Sequence, residues 1–212
     1  MLYLLFVAHL IHLDSSLRTD QSRSRKLSTH YAKLWQAKNP DGAITYRDLT
    51  IDPVPHLDNL AISSPLIAAS ERTPEQAAAC AFAEQLAGEV IAADIILVGL
   101  PLYSFGAPST FMAWFDRIVI RGLTMGLLAD KEFVIVTARG GGYGPGTPRE
   151  GWDHTEPWLR HALTLLGVSD PVFINTELTL ARESPAMATL DLGSDEDKSL
   201  INALAAIDAL VA

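Results

Sequence analysis

The stretch DSSLRTDQSRSRKLS, Asp14 to Ser28, carries five serines and three arginines in fifteen residues, directly after an apolar run and directly before a helical pattern. A serine-rich turn that starts a helix combines hydroxyl donors, backbone N–H groups and the positive end of the helix dipole, which together make a site for a phosphate. Arg18, Arg23 or Arg25 could add charge-assisted bonds to such an anion. Ser15, Ser16, Ser22 and Ser24 also read as ordinary turn and N-cap residues, and the spacing alone leaves both readings open. Two other segments have chemistry-bearing composition: PLYSFGAPST (Pro101 to Thr110) and ARGGGYGPG (Ala138 to Gly146). In the first, Tyr103 and Phe105 could line a flat ligand or pack in the core. In the second, the absence of side chains at Gly140 to Gly142 would let backbone N–H groups approach a ligand closely.

Several chemistries are excluded by spacing. Gly140, Gly141, Gly142, Gly144 and Gly146 never form G-x-G-x-x-G, and no Lys follows Gly146, so dinucleotide and P-loop fingerprints are absent. No G-x-S-x-G elbow supplies a hydrolase nucleophile. A phospho-receiver would need an aspartate where this chain has Pro101 and Leu102. His154 and His161 stand seven residues apart without further ligands, a poor metal site, so no metal is expected.

The elements that must position these segments alternate. Strand-like runs cover Val7 to Leu13, Ala43 to Thr50, Ile95 to Leu100, Glu132 to Ala138 and Val172 to Leu178, several of them continuously apolar as strands covered on both faces should be. Helical patterns run from about Ser24 to Lys38, from TPEQ (Thr73 to Gln76) onward, over Pro108 to Arg121 and Glu156 to Leu166, and after Ser194. Five β-α units predict an α/β, doubly wound, three-layer fold with a parallel sheet, and ligands bound outside the carboxyl ends of the strands. The three segments follow the first, third and fourth strands. Asp58 to Glu71 and Glu183 to Asp197 read as surface insertions. The helix Phe111 to Ile120 carries more apolar surface than one core-facing stripe buries, which predicts that part of it packs against a second subunit, with Trp114 as the best candidate for the contact and a place in the chain's own core as its alternative.

Composition agrees with a single domain over 1–212: 49% hydrophobic and 19% charged residues are globular proportions. A net charge of -9 argues against nucleic acid as a partner. The single cysteine, Cys80, fits a reducing cytoplasm. The apolar opening MLYLLFVAHLIHL is too short to span a membrane and lacks the flanks of a signal peptide. Its first five residues exceed what the strand needs.

HLDSSLRTDQSRSRKLS, PLYSFGAPSTFMAWFDRI and ARGGG, in this order on this strand pattern, resemble the FMN-dependent NADH azoreductases, also called NADH:quinone oxidoreductases, of the flavodoxin-like superfamily. The similarity covers most of the chain, including YRDLTIDPVPHLD (Tyr46 to Asp58). The resemblance implies a flavodoxin-like sandwich with strand order 2-1-3-4-5 and FMN as cofactor. It places Ser16, Ser22, Arg23 and Ser24 at the phosphate, Leu102, Tyr103, Ser104 and Phe105 along the isoalloxazine, and Ala138, Arg139, Gly140 and Gly141 on its other side. It further implies ping-pong turnover, in which NADH or NADPH delivers hydride to flavin N5 and is replaced by a quinone or azo compound, in a homodimer with its active site at the interface. No catalytic side chain is assigned. The chain departs from the family in a short Gly122 to Glu132 loop and a longer Gly141 to His154 loop, which leaves Trp152, Tyr143 and His154 to shape the acceptor pocket. A flavodoxin-type single-electron carrier, an NAD(P)H-dependent FMN reductase and a flavin-free interaction protein are the alternatives.

Overall fold

The continuously apolar runs form inner strands because both of their faces are covered, whereas the edge strand Ala43–Asp48 is only partly covered. The computed structural model describes residues 7–212, and in it β1 (His9–Asp14), β2 (Ala43–Asp48), β3 (Ile95–Pro101), β4 (Glu132–Ala138) and β5 (Val172–Thr176) form one parallel sheet in the order β2-β1-β3-β4-β5. Seven helices are found among the described residues: α1 (Arg23–Lys38), α2 (Asn59–Ser63), α3 (Pro74–Ala92), α4 (Ser109–Ile118), α5 (Thr155–Thr164), α6 (Pro185–Ala188) and α7 (Gly193–Val211). Alternate strand side chains enter two cores. Ile11, Leu13, Ile96, Val98, Leu100, Phe133 and Ile135 pack with residues of α3, α4 and α5, whereas Leu10, Leu97, Val134, Val136 and Ile174 pack with those of α1 and α7. The chain reverses its order of strand addition between β1 and β3, which makes that junction the switch point where a ligand crevice opens.

Local signals set the boundaries. Thr73 caps α3 with both bonds of a capping box, its hydroxyl accepting from Gln76 N (3.3 Å) and its own N–H donating to Gln76 Oε1 (2.9 Å). β1 starts two residues later than the apolar run and extends to Asp14, while the reading of the first five residues lies outside the described residues. β5 stops at Thr176, two residues early, and Leu178 beyond it adopts φ 60°. Asp58 to Glu71 contains α2 and two 3-10 turns and exposes Leu60, Ile62 and Leu66, with Leu57 exposed just before it.

One expectation is corrected. Trp114 is only 1% exposed within this chain and cannot be the contact with a second one. The same chain buries its helix, which leaves Ser109 and Asp116 exposed: Phe111 meets Trp114 at 5.8 Å and Phe115 at 6.0 Å, Trp158 meets Phe115 edge-on at 5.4 Å, and Arg117 donates to the Pro55 and His56 carbonyls. Among the described residues no helix is long and apolar enough to cross a membrane.

Candidate functional site

At the switch point the chain leaving β1 lies against β3, with Ser15 donating through both N–H (3.2 Å) and hydroxyl (3.1 Å) to the Gly99 carbonyl. Only glycine fits there, since a Cβ at position 99 would stand 2.1 Å from Asp14 Oδ1. Asp14 is fixed in turn by the Ser28 hydroxyl (2.8 Å) and the Tyr46 hydroxyl (3.1 Å). This close packing opens a cleft of about 220 Å³ above the strand ends.

One side of the cleft is polar. Ser16, Ser22 and Ser24 line it with Arg18, Gln21 and Arg23. The three serines are almost fully buried; Ser22 and Ser24 hydroxyls lie 3.2 Å apart, and Ser22 accepts from Arg25 N as the N-cap of α1. The first-turn N–H groups of Arg23 and Ser24 donate to no described residue. Arg18 and Arg23 are held by Glu183 (2.6 Å) and Glu196 (2.9 Å), neither of which lines the cleft. No carboxylate lines it at all, in a chain with twenty-five acidic residues against sixteen basic ones. Hydroxyls, open N–H groups and guanidinium groups without a lining carboxylate form a donor set for an anion, and a phosphate fits it.

The opposite walls suit a flat apolar group: Pro101, Leu102, Tyr103, Ala138, Gly140 and Leu180. Tyr103 joins the two sides, its hydroxyl accepting from Leu17 N at 3.1 Å and lying 3.5 Å from the Ser16 hydroxyl. The Gly140 N–H donates to no described residue. Thr179 and Leu180, which follow β5, also line the cleft and were not foreseen. Their position after a strand's carboxyl end was the available signal.

Four anticipated positions stand outside this lining. Ser104 and Phe105 form a left-handed turn (φ 49° and 67°) closed by reciprocal bonds between Tyr103 and Gly106. That turn pushes Phe105 outward against Trp152 (5.5 Å, edge-on) and Tyr143 (6.3 Å), and the Phe105 carbonyl accepts from His154 N–H at 3.0 Å. The Arg139 side chain is buried among Asp153 (2.6 Å), Glu156 (3.0 Å) and Glu177 (3.3 Å), tying the glycine segment to α5 and β5. Gly141 lines a neighbouring pocket.

Arg25, weighed above as a phosphate ligand, is instead a strut. Its guanidinium holds Asp48 through two bonds (2.6 and 2.8 Å) and donates from Nε and Nη2 to the Ser16 carbonyl. Burial would raise the Asp48 carboxyl, but bonds from Arg25 and from the Thr50 N–H and hydroxyl outweigh it and hold the group at about 2. A depressed carboxyl stabilises the fold above its unfolded value of about 4, and that contribution is lost as pH falls toward 2. Asp48→Asn should therefore unfold at lower urea than the native chain at pH 7, with the gap closing between about pH 4 and pH 2; a gap independent of pH would show that the charge contributes nothing.

A family model described as flavodoxin-like fold matches residues 8–193. The FMN-dependent NADH:quinone oxidoreductase of Frankia casuarinae is 46% identical over 186 residues, covering 85% of this chain and 88% of that one. FMN-dependent NADH:quinone oxidoreductase 2 of Trichormus variabilis is 38% identical over 216 residues, covering 97% and 99%. Among solved structures, an azoreductase from Bacillus anthracis str. Sterne superposes with a TM-score of 0.84 at 18% identity, over 97% of this chain and 99% of the other. An FMN-dependent NADH-azoreductase from Bacillus anthracis str. Ames Ancestor, solved in complex with FMN, gives 0.79 at 21% identity over 97% and 100%; at such identities the likeness is one of fold.

Proposed function

We infer, because the chain belongs to the flavodoxin-like family of FMN-dependent NADH:quinone oxidoreductases, that it is an FMN-dependent oxidoreductase passing two electrons from NADH to quinones and to aromatic azo compounds. The observation that carries this reading is the cleft lined by buried serines and two arginines without a carboxylate, facing an apolar wall. Bound there, FMN supplies a centre that accepts hydride and releases electrons to a second substrate. Ser16, Ser22, Ser24, Arg18 and Arg23 would hold its phosphate, with Leu102, Tyr103, Ala138 and Leu180 against the ring system. The Gly140 N–H would donate to the ring's polar edge. These residues bind and orient; none is assigned as a proton donor.

Donor and acceptor would use the same open side in turn. The test is steady-state kinetics on the purified yellow protein: NADH oxidation with a quinone at several fixed concentrations should give parallel double-reciprocal lines. Intersecting lines would overturn alternation at one site, and no turnover with any quinone would favour the electron-carrier reading.

Phe105, Trp152 and Tyr143 form the aromatic ground on which acceptors would lie. Trp152 is half-exposed and makes no hydrogen bond with its ring, so Trp152→Ala should change relative kcat/KM among quinones and azo dyes about three- to tenfold, the worth of one aromatic contact, without altering FMN affinity. Unchanged selectivity would remove the loop from the acceptor site. We further propose a single-domain homodimer in the cytoplasm that pairs through the exposed Leu57, Leu60, Ile62 and Leu66 surface rather than through Trp114. Sedimentation of Leu66→Glu as a dimer would exclude that face.

A further inference from the structure

The glycine segment has a second side. Gly140 to Gly142 run beside Leu178 to Leu180, joined by Leu178 N–H to the Gly141 carbonyl (3.1 Å), Thr179 N–H to Arg139 (3.1 Å) and Leu180 N–H to Gly140 (3.2 Å). Gly140 and Leu180 line the cleft described above, whereas Gly141, Gly142 and Leu178 line a separate pocket of about 680 Å³. The two share no lining residue. The pocket is large enough for a drug-sized ligand.

Its walls are chiefly apolar, from Pro148, Leu178, Met187, Leu190 and Leu192. Three charged side chains also line it, and they are not equivalent. Glu177 is committed to Arg139 (3.3 Å) and to Tyr143 N–H (3.0 Å), and Asp195 accepts from Lys198 (3.1 Å). Arg149 has no carboxylate within 4.0 Å among the described residues; its Nη1 donates only to the Tyr143 hydroxyl at 3.3 Å. The guanidinium rests on Gly141, where a Cβ would come within 2.9 Å of Nη1. The N–H groups of Gly141 and Gly142, in the same wall, likewise donate to no described residue.

We propose that this pocket binds a small amphipathic carboxylate, its apolar body among Leu178, Met187, Leu190 and Leu192 and its carboxylate on Arg149 and the adjoining glycine N–H groups. An unpaired guanidinium beside two uncommitted backbone donors selects an anion, and the leucine and methionine lining selects an aromatic or aliphatic body over a sugar or an inorganic ion. The site stands on this pocket alone and does not depend on what fills the cleft.

The test uses the purified protein with its methionine methyl groups labelled with carbon-13, the Met187 signal being identified by its loss in Met187→Leu. Titration with 2-naphthoate should shift the Met187 signal to saturation, identically with and without added FMN. The neutral isostere 2-naphthamide should bind at least about tenfold more weakly, and Arg149→Gln should weaken naphthoate by a similar factor, as the loss of a charge-assisted bond requires. Arg149 is exposed, so that variant keeps its fold, which unchanged signals from the other methionines would verify. The proposal fails if Met187 does not move, if amide and carboxylate bind equally, if Arg149→Gln binds as the native chain does, or if FMN competes with naphthoate.

Discussion

Replacing Ser22 and Ser24 together with alanine should lower FMN affinity by about a hundredfold or more, while riboflavin affinity should fall no more than about threefold. A hydrogen bond to a charged group is worth roughly 1.5–3 kcal/mol, so each hydroxyl lost from a phosphate corresponds to a factor of about ten or more. The hydroxyls lie 3.2 Å apart, almost fully buried at the start of α1, where the dipole and open N–H groups reinforce them. Ser22 also caps the helix, which by itself contributes about 1 kcal/mol of stability. That loss is common to both ligands and is read separately from the melting of the flavin-free protein. Equal losses for FMN and riboflavin would show that the serines do not hold a phosphate.

Arg139→Met should destabilise the chain by about 3 kcal/mol at neutral pH, because it removes the buried cation paired with Asp153 and Glu177 and leaves Glu156 with Arg160 alone as its cation. The direction with pH follows from Glu156. Burial would raise its carboxyl, but bonds from Arg160 and Asn175 and the nearby Arg160 and Arg139 charges hold it below its ordinary value. A depressed carboxyl contributes stability above its unfolded value of about 4.3, lost as pH falls below it, so the deficit of the variant should narrow on acidification through that range. Urea unfolding at a series of pH values measures this. A variant as stable as the native chain at pH 7 would mean that the carboxylates are sufficiently solvated without their cation.

The strands were legible because burial on both faces writes itself as continuous apolar runs, and Glu132 to Ala138 was read to the residue. TPEQ was legible because a capping box is a contact within four residues. The polar side of the cleft was visible for the same reason, since Ser16, Ser22 and Ser24 lie within nine residues where the loop enters α1. Long-range partners were not visible. Nothing near Arg139 in the sequence says that its charge is taken by Glu177 thirty-eight positions later, or that Arg25 will be spent on Asp48. Trp114 misled because a short helix rich in large apolar side chains is equally compatible with burial by a partner and burial by its own chain, and only the packing of Trp158 and Arg117 around the helix decides.

The brace between Arg23 and Glu196 spans 173 residues. At a synthesis rate of about 5–20 residues per second, Glu196 is added roughly nine to thirty-five seconds after Arg23. During that interval the serine loop exists without β3, then without β4, and finally without the carboxylate that holds its arginine. A nascent chain thus carries Ser16, Ser22 and Ser24 long before it carries the cleft that they line, because the opposite wall, from Pro101 to Leu180, is added afterwards.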